Sequence, residues 1–186
     1  MLVTRDNLKT FLGITDSSKD ALLDLLNDQV SAMVEKKCGR TFDETVYTDE
    51  EYDGTSEKKL VLKQFPVTAT TTFKLERNWA TDNSDDWEEI DTDDYWVDNN
   101  EGIVTKLTEF LAGKQNYRAT YSAGYGTIPY DLQYVVMQSI GLFLNKRRAS
   151  GLKSETLGDH TVVFEGIIAE NDNLYNMISD YRKIPL

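Results

Sequence analysis

Between Asp82 and Glu101 the chain places ten carboxylates and no Lys or Arg. Closely spaced carboxylates are the ligands that a hard cation such as Ca²⁺ takes. The order Asp82-x-Ser84-x-Asp86 begins like a calcium loop. It then sets Trp87 where such a loop needs glycine for its sharp turn, and no Glu falls at the twelfth position. The spacing favours a solvated acidic sheet edge, which also discourages edge-to-edge pairing.

The remaining chemical candidates are equally thin. His160, the only histidine, stands beside Asp159, as a base stands beside its orienting carboxylate. No motif places a Ser or Cys nucleophile near it, and Gly158 with Thr161-Val-Val marks a turn entering a strand, so a surface histidine is expected. Cys38 closes a helix next to Gly39. The negative end of a helix dipole raises a thiol pKa, which points to a small buried side chain and not to a nucleophile. Phosphate loops, dinucleotide fingerprints, zinc spacings and nucleophile elbows are missing from the sequence. The expectation is a protein with no catalytic residue, no metal and no cofactor: not an enzyme.

Two features suit contact with a partner. Lys146, Arg147 and Arg148, with Lys153, form the densest basic cluster in the chain. They either compensate the dipole at a helix end or meet an acidic neighbouring subunit. The segment 152–170 is long for a connection in a compact domain, and such segments are usually functional or disordered. Its Leu157 and its short apolar run Val162, Val163 and Phe164 read as an extended arm that docks on something.

Composition narrows the classes. The 186 residues carry a formal net charge of −12, with 40% hydrophobic and 11% aromatic residues. That apolar content supports a packed core, so a disordered acidic tail is excluded. The charge opposes non-specific binding to nucleic acid or anionic membrane, both of which depend on clustered Lys and Arg. One cysteine cannot form an internal disulfide, which fits a reducing compartment. No run of about 18 apolar residues exists to span a membrane. The start Met1-Leu-Val-Thr-Arg-Asp has no hydrophobic signal region, so a soluble protein made in a cytoplasm is expected.

The elements that would position these residues fall into three blocks. Residues 4–42 read as a helical hairpin. Thr4 caps a helix carrying Leu8, Phe11 and Leu12, and Gly13 ends it. Ser17 and Asp20 have capping-box spacing. Leu22, Leu25, Leu26, Gln29, Val30, Met33, Val34 and Lys37 then follow a 3.6-residue period, leaving Asp24, Asn27, Asp28, Ser31 and Glu35 outside. Residues 43–126 change to short Thr-, Tyr-, Val- and Trp-rich runs between turn residues. Strands are expected at Lys59–Lys63, Thr68–Leu75, Trp87–Ile90, Tyr95–Val97, Ile103–Leu107 and Asn116–Ser122, with Phe65-Pro66 marking a bend. Residues 127–186 return to helix: Pro129 suits the first turn, and Leu132, Val135, Val136, Ser139, Ile140, Phe143 and Leu144 form a buried stripe. A last helix near Asn171 to Arg182 carries Leu174, Met177, Ile178 and Tyr181. The expected fold is α+β. Residues 1–42 and 127–186 would make a helical bundle core with the arm 152–170, and 43–126 a small inserted antiparallel sheet.

Three stretches in order carry a resemblance. They are Cys38-Gly39-Arg40-Thr41-Phe42; Tyr121-Ser-Ala-Gly-Tyr-Gly-Thr-Ile-Pro-Tyr-Asp-Leu132; and Arg147 through Gly158-Asp-His-Thr-Val-Val-Phe164. In this order and spacing the chain resembles the head–tail connector, or head-completion adaptor, proteins of tailed bacteriophages and prophages. The resemblance covers roughly residues 1–42 and 120–165, and more loosely Tyr52-Asp-Gly-Thr55 to Phe65-Pro-Val67. It implies a structural virion protein, assembled in the bacterial cytoplasm, with no active site. It further implies a closed ring of about a dozen copies between the portal protein and a tail or stopper protein. DNA would pass through that ring without tight binding, and Leu152 to Phe164 would grip a neighbour on assembly. The acidic stretch 76–101 departs from the family pattern. Two other readings stay open: an acidic DNA mimic that inhibits a nucleic-acid enzyme, and a ligand-binding β module using Trp79, Trp87 and Trp96.

Overall fold

The computed structural model describes residues 1–68, 72–80, 85–149 and 172–182. The chain divides into two compact units, one of Met1–Phe42 with Thr127–Lys183 and one built on Asp43–Gly126.

The first unit is helical. Helix α1 spans Arg5–Leu12, and the Thr4 hydroxyl accepts the Asn7 N–H at 3.3 Å. Helix α2 spans Asp20–Cys38. Both end on glycines at positive φ, Gly13 at 66° and Gly39 at 69°. A side chain would strain that left-handed geometry, which lets each glycine N–H reach back to the last carbonyls. The expected capping box at Ser17 and Asp20 does not form. Lys19 is the cap residue, without a side-chain bond. Asp16 instead folds its own loop, accepting the Ser18 N–H at 2.8 Å and the Ser18 hydroxyl.

Helix α2 is rotated relative to the face its sequence suggests. Leu23, Leu26, Val30, Met33, Val34 and Cys38 are buried, while Leu25 is 39% exposed. Asn27 and Ser31, expected outside, are also buried. The reason is a polar task. The Asn27 amide donates to the Val3 carbonyl at 2.6 Å, and the Ser31 hydroxyl accepts the Leu2 N–H at 3.0 Å. Helix α3, Tyr130–Ala149, buries Leu132, Val135, Val136, Ser139, Ile140 and Phe143. Helix α4, Asp172–Ser179, adds Leu174 and Ile178.

The second unit holds two antiparallel sheets. Strands β1 (Thr45–Gly54), β3 (Lys74–Asn78), β4 (Trp87–Glu89) and β7 (Gly113–Ala123) form one, in the order β1-β7-β3-β4. Strands β2 (Lys59–Val61), β5 (Tyr95–Asp98) and β6 (Ile103–Lys106) form the other, in the order β2-β6-β5. Strand β7 alternates as a half-buried strand should: Tyr117, Ala119, Tyr121 and Ala123 are buried, and the residues between them are not.

The helical bundle core with a small inserted sheet is therefore not what this sequence builds. The fold is α+β with four helices among the described residues and two antiparallel sheets. Two of those helices are only eight residues long. The sheets are not an appendage, because Leu60, Leu62, Phe73, Leu75, Val104, Phe110 and the inward residues of β7 close a hydrophobic core of their own. Strand boundaries also move. The run expected at Thr68–Leu75 pairs instead over Lys74–Asn78, with residues 69–71 outside the described residues.

Candidate assembly surfaces

The basic cluster sits on the last turns of α3, where cations complement the helix dipole. Lys146 is exposed and Arg147 half-buried. The Arg148 side chain lies outside the described residues, as do Lys153, Leu157, Val162, Val163, Phe164 and His160. Of the residues expected to make partner contacts, the structure thus places Lys146 and Arg147 together on one helix end.

Beside that end lies a groove of mixed lining that the sequence reading missed. Phe11, Leu12 and Ile14 face Gly141 and Leu142 of α3, with Gln138 and Asn145 at its margin, around a volume of about 260 Å³. Phe11 is 40% exposed and meets the edge of Tyr134 with ring centroids 6.1 Å apart. Gly141 lies on its wall, where a Cβ would make an ordinary contact of 3.5 Å with Leu12 Cδ2. A glycine inside an otherwise helical pattern was the available signal, since it usually has a packing or functional reason.

In the β unit, carboxylates sit on both edges of the four-stranded sheet. Asp49, Glu50, Glu51 and Asp53 lie on β1, and Glu88 and Glu89 on β4. Such charges blunt pairing with a foreign strand. Among the described residues no group of three or more metal-ligating side chains comes together. The tryptophans are not core. Trp79 and Trp96 are 52% and 55% exposed, and Trp87 is half-buried. Guanidinium groups cover two of them: Arg77 lies 3.5 Å from the Trp79 ring centre and Arg118 4.5 Å from that of Trp87.

Two buried phenols in this unit share one structural partner. The Tyr121 hydroxyl donates to Glu50 at 2.6 Å, and Tyr52 donates to the same carboxylate oxygen. Burial pushes both phenol pKa values up. Lys106 fills a core position with its ammonium 5.2 Å from the Phe110 ring centre and 5.5 Å from that of Tyr117. Burial lowers its pKa, and the charge of Arg77 adds to the effect. In the helical unit, burial raises the Cys38 thiol to about 11, with its sulfur 3.6 Å from the Ile178 carbonyl oxygen. None of these groups is an exposed, activated nucleophile.

Comparison with known proteins adds what geometry alone does not carry. A family model described as head completion protein matches residues 1–184. Two solved structures share the fold. A chain in the neck of an empty gene transfer agent particle, computed with C6 symmetry, aligns with a TM-score of 0.54 at 13% identity. A chain in the virion of the native gene transfer agent particle aligns at 0.52, also with 13% identity. In both cases the match covers 100% of this chain and 91% of the other. No curated protein sequence matches the chain.

Proposed function

The chain belongs to the head completion protein family, and from that premise we propose that it is a structural virion protein of the phage neck. In this reading, copies of the chain form a ring-shaped adaptor that joins the portal to the tail or stopper and extends the DNA channel. The observation that carries it is the family match over residues 1–184. The likeness of the whole chain to proteins from the neck and virion of gene transfer agent particles supports the same place in the particle.

The physical properties fit a conduit better than a grip. Each phosphate that a protein neutralises releases counterions and adds affinity that movement must undo. A chain with 32 acidic against 20 basic residues offers DNA little such affinity, and a ring multiplies the negative charge. Its work is mechanical and needs no catalytic group. The DNA-mimic reading has less support, because the sheet's carboxylates lie on two opposite edge strands and do not follow one phosphate-like row.

Particles produced without the protein test the proposal. DNA-filled heads that carry a portal but fail to join tails, and that are completed by adding the purified protein, are the expected result. Normal tailed particles in its absence would contradict it.

A further inference from the structure

We propose that Arg77 and Lys106 form a binding site for a single oxyanion, a carboxylate or a phosphate, at the edge of the β unit's core. The proposal stands on side chains of the sheets alone and does not depend on the ring.

The two sheets bring these cations to one aromatic ring. Arg77 stands opposite Tyr117 in the β3–β7 register, and residues paired across a sheet point to the same face. Tyr117 is fully buried, so that face is the core face. Lys106 reaches the same ring from β6 in the other sheet. Its ammonium lies 5.5 Å from the Tyr117 ring centre and 5.2 Å from that of Phe110. The charges also act on each other: after burial, Arg77 is the next cause that lowers the Lys106 pKa.

Neither cation has a carboxylate within ion-pair distance among the described residues. Lys106 is only 8% exposed, and Arg77 Nε is buried without a hydrogen-bond partner. Two carboxylates in the neighbourhood stay apart. Glu88, opposite Arg77 in the β3–β4 register, is exposed, and so is Asp94, whose charge acts on Lys106 from beyond ion-pair reach. The contrast with the other face of β3 is sharp, since Glu76 there holds both Arg118 and Lys74.

What the site would take follows from its donors. Trp79 lies against the guanidinium at 3.5 Å, which fixes its plane and leaves its N–H edge for an acceptor. Aromatic faces attract a cation but do not replace the oxygen acceptors that its N–H groups lose on leaving water. Two like charges, poorly solvated and without a counter-ion, are costly. One oxyanion between them accepts bonds from both and cancels their repulsion. Exposed Glu88 and Asp94 nearby repel a polyanion such as duplex DNA, so a single small group is the ligand.

Nuclear magnetic resonance of the isotope-labelled full chain reads the site at the Trp79 indole N–H and the Arg77 Nε–H. Inorganic phosphate and acetate are each titrated against chloride at constant ionic strength. Saturating shifts at both resonances are expected. Saturation with phosphate alone identifies a free ion as the occupant. Saturation with acetate, alone or as well, identifies a carboxylate of the kind that an Asp or Glu of a neighbouring protein would bring. Arg77→Gln and Lys106→Met should each weaken binding by about tenfold or more, the weight of one charge-assisted hydrogen bond. Thermal melts in chloride show that each variant keeps its fold, and the wild-type titration decides the matter without them. Absence of a saturating shift with either anion would overturn the proposal. So would a shift that persists unchanged in a folded Lys106→Met protein.

Discussion

Glu76 and Arg118 face each other across the β3–β7 register and share two hydrogen bonds of 2.9 Å each. This two-pronged pairing of guanidinium and carboxylate is the strongest geometry the two groups offer. Lys74 reaches the same carboxylate at 3.0 Å, and Arg118 stacks over Trp87 of β4, so one ion pair ties three strands. Glu76 is only 5% exposed. The hydrogen bonds from Arg118, with help from Lys74, hold its carboxyl below the ordinary Glu range.

Removing that charge has a signed pH dependence. Because the folded pKa is depressed, the stabilisation is complete above the ordinary Glu pKa and is lost as pH falls through the lower folded value. Glu76→Gln should therefore lose ~2 kcal/mol at neutral pH, the scale of hydrogen bonds to charged groups. The gap to wild type should shrink in acid. Denaturant unfolding at pH 7 and pH 3 checks this, and an equal gap at both values would contradict it.

How much of this was legible in the sequence depends on which force placed each residue. Helix α1 was readable to both ends, because Thr4 and Gly13 act through local backbone geometry. The stripe of α3 was readable from hydrophobic period alone, from Leu132 to Phe143. The face of α2 was not, because Asn27 and Ser31 are buried to satisfy backbone groups more than twenty residues away. Strand β1 was missed altogether. As an edge strand it leaves most of its side chains in water, so Thr45–Gly54 shows acidic residues where a central strand would show alternation. The groove beside α3 was missed for a related reason, since its walls come from residues 11–14 and from residues 138–145, far apart in the chain.

The Asn27 contact gives a second prediction. Asn27→Leu keeps the size but leaves the Val3 carbonyl without its buried donor, which costs about 1–3 kcal/mol. Exchange of the first amides, including Leu2 bonded to Ser31, should accelerate more than that of α3. Hydrogen exchange resolves the difference. Unchanged protection at Leu2 would show that the N-terminal segment is held by other means.

Cys38 gives a third. With its pKa raised to about 11 by burial, the thiol is protonated at neutral pH and shielded from reagents. Alkylation of the native protein should be slow and should rise sharply on adding denaturant. Fast labelling of the folded protein would mean that the helical unit opens readily around α4.

The charge balance gives a fourth. Purified protein should show no measurable affinity for duplex DNA near physiological salt, because 20 cations are outnumbered by 32 anions. Fluorescence anisotropy with a labelled duplex measures it. Micromolar binding that weakens with added salt would point to a direct nucleic-acid role.

The central claim is that the chain works as a ring, and mass decides it most directly. Mass photometry or native mass spectrometry of the full chain, alone and mixed with portal, counts copies of the 21.2 kDa protomer. A discrete closed assembly of many copies, at least on the portal, is the predicted result. A monomer under every condition, with no portal-bound species, would contradict the account.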